Sequence, residues 1–147
     1  MKESIVITQG PAQTKKLGEA LAKMLLSGRS KKKAVVVGLR GDLGGGKTTF
    51  LQGFAKGLKV RVKVLSPTFI IIRKTDNFFH IDAYRLQGSQ DLLKLGFREM
   101  LADPKNIVVV EWADRVKRIM PLHTAWVDFV FINKNKRRIV IRLNNGK

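Results

Sequence analysis

AVVVGLRGDLGGGKTT, from Ala34 to Thr49, is the stretch whose reading decides the fold. Ala34–Leu39 is a short apolar run rich in β-branched residues, the composition of a strand buried on both faces of a parallel sheet. A glycine-rich turn follows at once, and Thr48–Lys56 reads as a helix closed by Gly57. Within this stretch GDLGGGKT, Gly41–Thr48, satisfies the G-x-x-x-x-G-K-[ST] spacing of a phosphate loop and stands between strand and helix, where the chemistry needs it. Gly44, Gly45 and Gly46 let the backbone approach phosphates without Cβ obstruction, so that successive N–H groups point at the oxygens. Lys47 offers positive charge to the β- and γ-phosphates from a side chain expected to be exposed to ligand, and the helix N-terminus adds its dipole. Thr48 supplies a hydroxyl to Mg²⁺, and Thr49 reaches an α-phosphate oxygen. A glycine-rich turn that binds nothing is the bland alternative, and the strand-loop-helix context weighs against it.

A magnesium site requires an acidic partner for Thr48, expected at the end of a neighbouring apolar strand. Glu111, after Ile107, Val108, Val109 and Val110, fits that place, with a strand-end glutamate that caps a turn as the bland alternative. Trp112 beside it either covers the nucleotide or simply packs. Another strand ends in HIDAYR, His80–Arg85. With a side-chain period of two, His80, Asp82 and Tyr84 face the same way. Asp82 then orients or deprotonates the attacking water, or holds a magnesium-bound water. A buried His80–Asp82 pair is the structural alternative. Ser66, Pro67 and Thr68 place two hydroxyls around a proline before a strand, suited either to sensing a γ-phosphate or to an ordinary turn.

Outward from these motifs, Ser4–Thr8 reads as a short edge strand. Leu17, Leu21, Met24 and Leu25 give helical spacing from Thr14 to about Leu26. TFIII from Thr68 and FFHID from Phe78 read as two strands about an Asp76–Asn77 turn. Ser89 is placed to cap a helix carrying Leu92, Leu93, Phe97, Met100 and Leu101, which Asp103, Pro104 and Asn106 break. Val116, Ile119 and Met120 suggest a short helix stopped by Pro121. Trp126–Ile132 and Ile139–Leu143 form a terminal hairpin. The expected architecture over residues 1–147 is a single α/β phosphate-loop domain, with a mixed, mainly parallel sheet flanked by helices and a C-terminal hairpin.

Composition narrows the class. Hydrophobic residues at 44% and charged residues at 27% are ordinary for a globular protein, which sets disorder aside. No apolar run approaches the roughly 18 residues of a membrane span, and MKESIVITQG lacks the pattern of a secretory signal, so a cytoplasmic protein without a membrane partner is expected. Cysteine is absent, which excludes disulfides and thiolate zinc sites. The outlier is charge: 29 Lys and Arg against 11 Asp and Glu give +18, a field that attracts nucleotides, RNA and acidic protein surfaces. Its clusters are Arg29–Lys33, Lys59–Lys63 and Lys134–Arg138, and no aromatics interleave with them to stack bases.

GDLGGGKTTFLQGFAKGL, SPTF, HIDAYRL, LGF with Glu99 nearby, VVEWADR and MP resemble, in this order, the bacterial TsaE family, also called YjeE, over about Thr14–Pro121. The phosphate loop alone is widespread; HxDxYRL combined with a strand ending in EW is specific. The resemblance implies an ATPase that assists formation of threonylcarbamoyladenosine at position 37 of tRNAs reading ANN codons. It would act with TsaB and TsaD, the latter transferring the group made by TsaC, and would hydrolyse ATP weakly without them. By position, it implies ATP on Gly44–Thr49 with Trp112 alongside, magnesium on Thr48 and Glu111, and a catalytic or coupling role for Asp82. Gly45 replaces the family's usual alanine. Two other readings stay open from the residues: a small phosphate-loop kinase, for which no lid insertion is evident, and a nucleotide-gated RNA-binding module without turnover of its own.

Overall fold

The computed structural model describes residues 2–41, 46–60 and 71–144. In chain order these form β1 (Lys2–Gln9), α1 (Gly10–Ser27), β2 (Val35–Gly41), α2 (Lys47–Gly57), β3 (Ile72–Thr75), β4 (Phe78–Asp82), α3 (Ser89–Lys94), α4 (Phe97–Ala102) and β5 (Ile107–Glu111). A 3₁₀ segment, Ala113–Ile119, then leads to β6 (Ala125–Asn133) and β7 (Lys136–Leu143). The strands make one sheet in the order β1-β7-β6-β2-β5-β4-β3. It is mixed, as the sequence leads one to expect. Its centre is parallel, β6-β2-β5-β4, and antiparallel strands flank it on both sides.

The alternation of side chains divides the core between the two faces of this sheet. Val35, Val37 and Leu39 of β2, Ile107 and Val109 of β5, and Val127 and Phe129 of β6 pack with Leu21 of α1 and Phe50, Leu51 and Phe54 of α2. On the other face, Val108 and Val110 of β5 and Ile81 of β4 pack with Leu92, Phe97, Met100 and Val116. A strand covered on both sides has no polar face, which is why IVVV reads as a continuous apolar run. Each fully buried phenylalanine, such as Phe50 or Phe54, contributes roughly 1.5–3 kcal/mol.

Helices α1 and α2 cross in close contact. Gly18 faces the Phe50 carbonyl oxygen, and Gly53 faces that of Lys15, so closely that a Cβ at either position would overlap the opposing backbone. The terminal hairpin is tied to β2 by Asp128, which accepts hydrogen bonds from Arg40 at 2.6 Å and from Arg142. Arg142 also donates to Glu3 at 2.9 Å, which joins β7 to β1, and these two acceptors, Glu3 foremost, raise its pKa above the ordinary arginine value.

Some boundaries differ from the sequence expectation. Helix α1 begins at Gly10 rather than Thr14, because Pro11 suits the first helical turn, where an N–H has no partner to lose. Ser89 is the first residue of α3 and not its cap; Gly88 occupies the cap position and no side chain bonds there. The helix expected through Leu101 is two short ones, since Gly96, at φ +94°, interrupts it. Of the strand expected at Thr68–Ile72, residues 68–70 lie outside the described residues, and β3 runs over Ile72–Thr75.

Candidate nucleotide and metal site

The C-terminal ends of β2, β5 and β4 and the N-terminus of α2 meet at one edge of the sheet. Gly46 caps α2, and Lys47 and Thr48 open it. The first-turn N–H groups of such a helix have no intrahelical acceptors and carry the positive end of its dipole, which makes this edge receptive to an anion. Gly44 and Gly45 lie outside the described residues, as do Ser66, Pro67 and Thr68.

Lys47 is buried, contrary to the expected exposed side chain. Its relative exposure is 6%. The ammonium donates to the Gly41 carbonyl oxygen at 2.7 Å and sits 3.7 Å from the centroid of the Trp112 ring. Trp112 itself follows β5 in a left-handed backbone conformation, φ 57° and ψ 40°. That turn sends its indole toward the head of α2. Tyr84 packs against it with the rings tilted by 52°, at 4.9 Å between centroids, and the Arg115 guanidinium lies 5.1 Å from the Tyr84 ring. Thr48 is exposed, and Thr49 is partly buried.

Register brings the acidic residues together. In the parallel pairing of β4 with β5, Asp82 lies opposite Glu111, and in that of β2 with β5, Glu111 lies opposite Leu39. Phe78, Ile107 and Val109 belong to the core under α1 and α2, so the period of two puts His80, Asp82 and Glu111 on that same face, toward α2. Tyr84 lies past the end of β4, in a turn, where it is exposed. The Asp82 carboxylate accepts the Tyr84 backbone N–H at 3.0 Å, which closes this turn. His80 does not pair with Asp82. Its Nε2 instead meets Glu111 Oε2 at 2.7 Å, with both side chains largely buried.

Residues far from the phosphate loop in sequence also border the head of α2. A small cavity of ≈ 80 Å³ is lined by Gly10, Thr14, Gly46, Thr49, Asn135 and Arg137, among others. The β6–β7 turn reaches it because Gly10 N–H donates to the Asn135 carbonyl oxygen at 2.8 Å and β1 lies along β7. The basic run Lys134–Arg138 was visible in the sequence, but its neighbour across the sheet was not.

The donor set fits magnesium. Thr48 Oγ1 and the Glu111 and Asp82 carboxylates are hard oxygen donors, and magnesium takes one or two carboxylates together with phosphate oxygens and waters. No helix among the described residues is long and apolar enough to cross a membrane.

A family model described as threonylcarbamoyl adenosine biosynthesis protein TsaE matches residues 8–139. The chain is 32% identical to the tRNA threonylcarbamoyladenosine biosynthesis protein TsaE of Rickettsia felis, over 97% of this chain and 82% of that protein. It is 37% identical to the protein of the same name in Bacillus subtilis, over 82% of this chain and 73% of that one. Among solved structures, the crystal structure of Bacillus subtilis YdiB superposes with a TM-score of 0.75 and 27% identity, covering 98% of this chain and 88% of that one.

Proposed function

The chain belongs to the TsaE family, whose role is in tRNA threonylcarbamoyladenosine biosynthesis, and on that premise we propose that it is a magnesium-dependent ATPase acting with TsaB and TsaD. The observation that carries this reading is the convergence of Lys47 and the α2 N-terminus with Glu111 and Asp82 at one end of the sheet. The triphosphate would lie along the loop between β2 and α2, with backbone N–H groups of Gly44–Gly46 toward its oxygens and Thr49 toward the α-phosphate. Lys47 would leave the Gly41 carbonyl for the β- and γ-phosphates. Thr48 and Glu111 would hold magnesium, which when bound neutralises charge on the β- and γ-phosphate oxygens.

Asp82 is the group for the water. It stands beside Glu111 on the neighbouring strand, partly exposed, with one carboxylate oxygen bonded to the Tyr84 N–H. From there it would orient the attacking water or accept its proton. Trp112 would shield the phosphates and Lys47 from solvent. Such work is done in the cytoplasm with tRNA as the final acceptor of the modification, reached directly or through the complex.

The deciding experiment measures ATP hydrolysis by the full chain with and without TsaB, TsaD and tRNA. Turnover that requires magnesium and rises with the two proteins is expected. Phosphate transfer to a small acceptor would favour a kinase, and tRNA binding indifferent to ATP would favour an RNA-binding module.

A further inference from the structure

We propose that His80 is a positioning residue for the metal site: its imidazole holds the Glu111 carboxylate in the orientation from which it takes magnesium. This rests on the reading of Glu111 as a magnesium ligand.

The first argument is geometric. His80 Nε2 and Glu111 Oε2 are 2.7 Å apart, on adjacent parallel strands, with side-chain exposures of 10% and 15%. Such a contact fixes one carboxylate oxygen, and Oε1 accepts no hydrogen bond from the described residues. A carboxylate at a strand end otherwise rotates freely about its last bond. A single buried donor removes that freedom and leaves one oxygen to turn to a cation. Partners of this kind, bonded to the ligand and not to the metal, typically set metal affinity within a factor of about 10–100.

The second argument concerns the other ring nitrogen. His80 Nδ1 is buried and has no hydrogen-bond partner. A buried nitrogen without a partner costs free energy that an apolar side chain of the same shape would not. The ring is therefore poorly explained as core filling between Phe78 and Asp82. Its one polar contact among the described residues is with Glu111. Because an ionised carboxylate can only accept, Nε2 is the donor in this contact.

Calorimetry of ADP binding to the full chain, titrated with magnesium chloride and repeated in EDTA, tests this. Four variants are compared with the native protein: Glu111→Gln, His80→Leu, His80→Gln and His80→Asn. Glutamine presents an N–H donor near the position of Nε2, whereas the asparagine amide stops short of Glu111. His80→Leu and His80→Asn are expected to raise the magnesium concentration at half effect by roughly 10-fold or more, with ADP affinity in EDTA unchanged. His80→Gln should restore most of the loss. If Glu111→Gln loses the magnesium effect while His80→Leu and His80→Asn keep the native titration, His80 is structural and the proposal fails. Should Glu111→Gln itself titrate as the native protein does, the magnesium reading falls and the proposal with it. If the leucine variant does not fold, asparagine against glutamine decides, and equal midpoints for those two overturn the assignment.

Discussion

Lys47 rests on Trp112: the ammonium nitrogen lies 3.7 Å from the centroid of the indole ring and 2.7 Å from the Gly41 carbonyl oxygen. A desolvated cation over tryptophan gains up to about 2 kcal/mol, and a hydrogen bond from a charged donor about 1.5–3 kcal/mol. A phosphate that draws the lysine away must therefore replace both contacts. The charge-assisted bonds of a triphosphate are strong enough to do so, and the head of α2 lies next to the lysine already.

Lys47→Ala should accordingly do two things. Losing a charged contact to the β- and γ-phosphates weakens ATP binding by about 10- to 100-fold, from the 1.5–3 kcal/mol of one such bond. Removing the contacts with Trp112 and Gly41 also lowers the melting temperature by a few degrees, on the scale of about 2–4 °C per kcal/mol for a chain of this size. Calorimetry and thermal melting on one preparation check both. Native ATP affinity in the folded variant would remove Lys47 from the phosphate site.

Departure of Lys47 from the indole should be visible in fluorescence. The chain has two tryptophans, and Trp126 is held under the Arg40 guanidinium at 4.4 Å, on another part of the sheet. In a Trp126→Phe background, the emission of Trp112 should change saturably as nucleotide is added, with a midpoint equal to the calorimetric one. An emission that stays constant through saturation would mean that Lys47 keeps its seat on the ring.

What was legible in the sequence is what local chemistry determines. β2 and α2 follow from a β-branched run and helical spacing, so their reading needed nothing distant. Glu111 at the end of an apolar strand was equally plain. The partner of His80 was not, because it depends on the register of β4 against β5, and Asp82 on the same strand was the nearer alternative. Pairing across strands is set by the whole sheet. The approach of Asn135 and Arg137 to Gly46 is of the same kind, since it follows from β1 lying against β7. Lys47 was expected in the open because a phosphate-loop lysine is read as meeting a ligand; its place beside Trp112 goes with a left-handed turn at that bulky residue, which no local signal announces.

The crossing of α1 and α2 offers a test of the same kind on stability. Gly53 sits in the middle of α2, where alanine would ordinarily stabilise a helix by up to about 1 kcal/mol. Its Cβ, however, would overlap the Lys15 carbonyl oxygen, a backbone atom that cannot turn aside. Gly53→Ala should therefore destabilise the protein, by about 1–3 kcal/mol or more, as the helices are forced apart. Urea unfolding gives the value, and a stabilised variant would show that the helices do not approach so closely.

Asp82 provides the sharpest separation between chemistry and structure. Its carboxylate is partly exposed, accepts the Tyr84 N–H at 3.0 Å, and lies across from Glu111 rather than in a pair with His80. Asp82→Asn keeps an oxygen able to accept the same N–H, so the turn at Ala83 and Tyr84 should persist and the melting temperature should hold within a few degrees. The negative charge is lost, and with it the capacity to orient water or accept its proton. ATP affinity should change little, because the proposed reading takes the phosphate contacts from elsewhere, Lys47 and the head of α2. Turnover in the presence of TsaB and TsaD should fall by a factor of roughly 10² or more, the scale of a general acid–base group. A merely structural aspartate predicts the opposite pattern, an early melt with native turnover per folded molecule. Melting temperature, ATP affinity and stimulated turnover measured together distinguish the two, and native turnover at low temperature would remove Asp82 from the chemical step.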